Sequence, residues 1–170
     1  EARNKLFALR GKRPRPHRDD KVLTDWNGLM ISAFSLGAHV LDEPAYLKKA
    51  EQAAQFILQN LQDKNGGLLH RYRDGEAAIK AMLDDYAFFI QGLLDLYEAG
   101  FNPEYLMHAR RLTQGMLELF WDAKDGGFFS TAFDAERLFI RHKAVYDGAM
   151  PSGNSIAGFN LLRLERFFMD

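Results

Sequence analysis

WNGLMISAFSLGAHVL, residues 26–41, has the length of a helix but not the one-sided apolar pattern of a surface helix. Leu29, Met30, Ile31, Phe34, Leu36, Val40 and Leu41 point in nearly every direction around a 3.6-residue turn, which predicts a helix buried all round. The next segment, 44–62, has the opposite character. Leu47, Ala50, Ala54, Ile57, Leu58 and Leu61 form one stripe, and Lys48, Lys49, Glu51, Gln52, Gln55 and Gln59 form a polar face. That pattern predicts an outer, amphipathic helix covering the inner one.

Working outward, the alternation repeats. Residues 85–98 are apolar on all sides through Tyr86, Phe88, Phe89, Ile90, Leu93, Leu94 and Leu96. Residues 103–121 are striped through Leu106, Ala109, Leu112, Met116, Leu117 and Phe120, and 152–168 are of the inner type again. Residues 1–9 read as the end of a further, outer helix. Two connections echo one another about 60 residues apart: DKNGGLLHRYRDG at 63–75 and DAKDGGFFSTAFD at 122–134. Each has a Gly-Gly turn and a short strand-like run, so a small β-hairpin is expected after each outer helix. An inner helix cannot bury itself, so neighbouring units must pack around it. The fold class expected is all-α, a partial α/α toroid with small β-hairpins in its connections. A linear solenoid is the alternative, although solenoid repeats of ~20–47 residues are shorter than the spacing here. Residues 1–170 form a single domain, read as a piece of a longer barrel.

Composition narrows the function classes. With 47% hydrophobic residues and a net charge of −1 the chain reads as a soluble globular domain, and no stretch approaches the ~20 apolar residues of a membrane span. A cytoplasmic protein is the expectation. The absence of cysteine removes thiolate chemistry, and neither HExxH nor DxDxDG spacing occurs, so no metal or cofactor is expected. Residues 1–22 hold eight Lys/Arg against three acids. The run contains Pro14 and Pro16 and lacks interleaved aromatics, so it reads as a solvated connection and not as a nucleic-acid surface.

Three stretches together resemble the YyaL / spermatogenesis-associated protein 20 family: DDKVLTDWNGLMISAFSLGA (19–38), DDYAFFIQGLLDLYEAG (84–100) and YDGAMPSGNSIAGFNLLRL (146–164). The resemblance implies the C-terminal part of a protein that joins a thioredoxin-like domain to an (α/α)6, six-hairpin glycosidase-like barrel, so that this chain would be a partial (α/α)6 toroid. It also implies distant similarity to N-acylglucosamine 2-epimerases and glycoside hydrolases, hence a carbohydrate ligand by analogy of fold. The thioredoxin-like domain of a longer chain is the protein partner that the resemblance suggests.

In a toroid of this kind every inner helix enters from the same end, so the residues opening the inner helices should share one rim. Those residues are Asp25, Trp26 and Asn27; Asp84, Asp85 and Tyr86; and Tyr146, Asp147, Ser152 and Asn154. A sugar-processing site needs carboxylates to move protons and aromatic faces to stack on C–H surfaces. Asp85 and Asp147 are the candidate acid and base, and Trp26, Tyr86 and Tyr146 the candidate platforms. Asp25, Asn27, Ser152 and Asn154 are candidate substrate contacts. His70 and His142, in the two connections, overhang the rim and join the substrate-binding set. The competing reading is that Asp, Ser and Asn here are helix N-caps, and that the chain is a non-catalytic toroid binding a partner. Uncovered inner-helix surface would then favour self-association.

Overall fold

The computed structural model describes residues 1–136 and 139–169. Six helices and three short strands follow in the order α1 (Ala2–Gly11), β1 (Val22–Leu23), α2 (Thr24–Leu41), α3 (Pro44–Asn60), β2 (Leu69–Arg73), β3 (Glu76–Lys80), α4 (Leu83–Gly100), α5 (Pro103–Phe120) and α6 (Gly153–Phe168). The helix limits expected from the sequence agree with these to within about two residues. The chain marks them chemically: Pro44 and Pro103 open the outer helices behind the caps Glu43 and Asn102, whose side chains accept from Ala45 N and Glu104 N.

α2, α4 and α6 are the inner helices of an α/α arc, and α3 and α5 lie outside them. The outer helices bury the stripes expected of them, through Ala50, Ala54, Ile57 and Leu61 on α3 and Ala109, Leu112, Met116 and Phe120 on α5. α4 is the one inner helix enclosed on every side; Leu83 and the run from Asp85 to Ile90 are buried, as are Leu93, Leu94 and Leu96. α2 packs on it at backbone distance. A Cβ added to Gly28 would lie 2.5 Å from the Phe88 carbonyl carbon, and one added to Gly92 would lie 2.7 Å from Gly28 O.

Three expectations are corrected. α2 and α6 are not buried all round: Trp26, Met30, Leu36 and Val40 on α2, and Phe159 and Leu162 on α6, are at least half exposed. Each of these helices has α4 on one flank and no inner neighbour among the described residues on the other. Second, among the described residues only the first connection forms a hairpin, in which β2 pairs antiparallel with β3 and β1 adds to its edge. Its turn is Asp74-Gly75, both at positive φ, as a two-residue hairpin turn requires. The second connection has no such dipeptide after its strand-like run and makes a single bridge, Trp121 to Phe128, matching the bridge Gln62 to Leu68 in the first. The echo between the connections is otherwise preserved, since Asp63 N donates to Gly67 O and Asp122 N to Gly127 O. Third, α1 buries no residue and does not act as an outer helix within this arc. Among the described residues no helix is long and apolar enough to cross a membrane.

Candidate functional site

The starts of the three inner helices meet, and two adjacent acids on α4 hold them together. The Asp85 carboxylate, buried to 1% exposure, accepts from Met82 N at 2.8 Å and so caps its own helix. It also accepts from Asp25 N in the first turn of α2 at 3.1 Å. Its neighbour Asp84 turns the other way, its carboxyl lying close against Gly153, the first residue of α6, whose backbone N–H favours the ionised form. Each acid thus supplies an acceptor to a backbone N–H at the opening of a different inner helix, where four such groups have no partner within the helix. The aspartates do serve as caps, but across helices.

Around this junction the sequence candidates separate into two groups. Asp25, Trp26, His70 and Asp85 form one cluster. His70, on β2, reaches Asp85 Oδ1 at 2.9 Å and Oδ2 at 3.0 Å through Nδ1. One oxygen or nitrogen from each of Asp25, His70 and Asp85 lies within 4.8 Å of the others. Trp26 follows Asp25 in the chain and is 57% exposed, and its backbone N–H donates to Asp25 Oδ1.

The electrostatics of the cluster follow from crowding two carboxyls beside one imidazole. Burial, and then the charge of Asp85, push the Asp25 carboxyl above the usual carboxylate range. Burial and Asp85 do the same to Asp84. The hydrogen bond to Asp85 raises His70 above the ordinary imidazole value, against the opposing effect of burial. The cluster also has the composition of a cation site. Asp85, however, already accepts from Met82 N, Asp25 N and His70, which occupies most of the four lone-pair positions of a carboxylate. That arrangement favours a proton over a metal ion as the positive charge here.

The other candidates take structural bonds. Tyr86 is buried, its hydroxyl accepts from Leu68 N at 3.0 Å, and its ring packs edge-on against Phe120, so it is not a stacking platform at the rim. Asn27 donates to Leu23 O. Ser152 is the N-cap of α6 and accepts from Ser155 N. Asn154 clamps the second connection, accepting from Phe128 N and donating to Phe128 O and Ala144 O. Asp147 accepts from Ser152 N and from the Ser155 hydroxyl, and these bonds hold it below the usual carboxylate range. It is exposed, as are His142 and Tyr146. A separate groove of about 390 Å³ beside α5 is lined by Lys80, Tyr86, Arg111 and Asp134 and by none of the cluster residues. Its cations are already occupied, Arg111 by Gly66 O and Lys80 by Asp134.

Comparison with known proteins bears on the family. The chain is 40% identical to human spermatogenesis-associated protein 20 over 173 aligned residues, covering 96% of this chain and 22% of that protein. The resemblance read from the three motifs holds. The rat protein is also 40% identical, and an uncharacterized protein of Caenorhabditis elegans is 38% identical over 96% of this chain. The chain spans about a fifth of the length of these curated relatives, 22–23% of each. No family model matches it.

Solved structures place the fold. A cellobiose 2-epimerase from Bacillus thermoamylovorans superposes with a TM-score of 0.70 at 20% identity, over 92% of this chain and 42% of that one. A family 76 α-mannanase from Bacteroides thetaiotaomicron gives 0.69 at 19% identity, over 91% and 41%. A family 105 glycoside hydrolase from C. acetobutylicum gives 0.69 at 15% identity, over 97% and 51%. The arc therefore has the fold of about two-fifths to one half of a six-hairpin glycosidase-like toroid, the fold that the family resemblance implied.

Proposed function

We propose that the rim formed by the inner-helix starts binds and processes a carbohydrate. The observation that supports this most directly is the meeting of Trp26, Asp25 and His70 at the junction stapled by Asp84 and Asp85. An exposed tryptophan next in the chain to a half-buried carboxyl supplies the two groups a sugar needs, one to stack on its C–H surface and one to bond its hydroxyls. The names of the structural neighbours, an epimerase of cellobiose and an α-mannanase among them, agree with that ligand class. In this reading Asp25 takes over the proton-active role first assigned to Asp85, whose oxygens are occupied. Asp147 and Tyr146, both exposed at the entry to α6, would contact the outer part of the ligand.

Tryptophan emission tests the proposal. Trp121 is replaced by phenylalanine so that Trp26 alone reports, and the chain is titrated with cellobiose, D-mannose and mannobiose. A saturable change in emission with at least one sugar is expected, and Trp26→Leu should weaken the same binding, followed by calorimetry, about tenfold, as loss of one stacking contact implies. If no sugar in the panel alters the emission, the proposal fails.

A second reading, that the chain is built to engage a protein, rests on the exposed apolar side chains of α2 and α6. Exposed apolar helix faces of this kind favour association. Light scattering of the chain should then give a mass above 19.5 kDa, or a mass rising with concentration. A monodisperse monomer at all concentrations speaks against self-association.

A further inference from the structure

We propose that His70 is the residue that exchanges a proton with a sugar oxygen at this rim, and that Asp85 is its positioning residue. This rests on the carbohydrate reading above and changes the chemistry assigned within it. The carboxylate first expected to be catalytic is sequestered, and the side chain it holds is the one that faces outward.

The geometry runs in one direction. Asp85 is fixed by two backbone donors on two helices, Met82 N before α4 and Asp25 N on α2. It cannot rotate toward a ligand without leaving both N–H groups unpaired, each at a cost of about 1–3 kcal/mol. A carboxylate so fixed accepts from His70 Nδ1, which sets the tautomer with its proton on Nδ1 and leaves Nε2 for a ligand. The His70 side chain is 22% exposed while that of Asp85 is 1% exposed, so the imidazole is the outer member of the pair. The strand that carries it is tied to the start of α2, since the Thr24 hydroxyl donates to Leu69 O.

Three charged groups bear on the imidazole: Asp85 from α4, Asp25 from α2, and Arg71 on its own strand. The two acids outweigh the one cation, so the imidazolium persists toward neutral pH and can act as an acid. In the step proposed, the Nε2–H bond breaks and an O–H bond forms on the bridging oxygen of a glycosidic bond while that oxygen's bond to the anomeric carbon breaks. The oxygen leaves as a hydroxyl and a water adds to the anomeric carbon, releasing a proton. His70 is left neutral, with its Nδ1–H still donated to Asp85. The proton returns from water or from the Asp25 carboxyl, whose raised affinity for protons suits it to that task. No co-reactant other than the sugar and water is needed.

The test is an NMR titration of the labelled chain, reading the His70 ring nitrogens with and without D-mannose or cellobiose, whichever changes Trp26 emission. Wild type should show His70 titrating above the ordinary value near 6.5, the neutral form protonated on Nδ1, and Nε2 shifting when sugar is added. Sugar affinity should step down as pH rises through His70's own midpoint. His70→Asn keeps a donor toward Asp85 and removes Nε2; it should fold, bind about tenfold more weakly and lose the step. Asp25→Asn should retain the Nδ1 tautomer, because it leaves Asp85 in place. If Trp26 responds to sugar while Nε2 does not, or the affinity step survives in His70→Asn, His70 is not the proton-exchanging residue and the carbohydrate reading stands without it. If neither Trp26 nor His70 responds to any sugar, the carbohydrate reading and this proposal fall together.

Discussion

Gly28→Ala is expected to destabilise the chain by roughly 1–3 kcal/mol, the range found when a methyl is forced into filled space. The sign is not obvious in advance. Alanine is the better helix former by about 1 kcal/mol, and at an open site the substitution would stabilise. At Gly28 the new Cβ would meet Phe88 C at 2.5 Å, Phe89 N at 2.6 Å and Phe88 O at 2.7 Å. All three are backbone atoms of α4, which cannot step aside one at a time, so the whole of α2 must back away. Gly158 supplies the control of opposite sign. It lies within α6 with nothing within 4 Å of its added Cβ, so Gly158→Ala should gain about 1 kcal/mol. Denaturant unfolding of the two variants and wild type checks both signs at once. Equal stability of Gly28→Ala and wild type would mean that α2 and α4 do not approach as described.

Asp85→Asn should cost about 3 kcal/mol, because it breaks a buried charged pair and turns one acceptor into a donor facing a backbone N–H. The loss depends on pH in a defined direction. His70 has its folded value raised by Asp85, so the stability it contributes is fully present below its unfolded value near 6.5 and is lost as pH rises through the raised folded value. Wild type should therefore lose stability across that window, and Asp85→Asn should be nearly flat there. Thermal melts at steps between pH 5.5 and pH 9, values spanning the ordinary imidazole range, give the comparison. A parallel pH dependence in both proteins would mean that Asp85 and His70 are not coupled.

Much of the architecture could be read from residue patterns alone. The polar faces of 44–62 and 103–121 identified α3 and α5 as outer, and the unbroken apolar run of 85–98 identified α4 as enclosed. The same reasoning overstated α2 and α6, because an apolar pattern records what a helix can bury and not which neighbours are present. Met30, Val40 and Leu162 are as apolar as Leu93, and only the packing distinguishes them. The second hairpin was overread for a local reason: no Asp-Gly turn follows FFSTAF, whereas Asp74-Gly75 delivers a partner strand to LHRYR.

The site was legible as a place but not as a set of roles. Residues opening the inner helices do converge, yet Tyr86, Asn154 and Ser152 are occupied by backbone partners that no spacing reveals. The link from Asp85 to Asp25 joins residues 60 apart, the same shift that relates the two connections, so that contact had a signal in the repeat. The His70–Asp85 pair had none, since it depends on how far β2 overhangs α4.

Cross-capping by Asp84 and Asp85 has a mechanical consequence. Because the first turn of each inner helix is anchored to its neighbour, no single hairpin can tilt at this end without dragging the adjoining one. The mouth should consequently open or tighten as one body, and flexing of the arc is displaced to the far ends of the helices. A guest arriving at Trp26 would be felt at Gly153 without touching it.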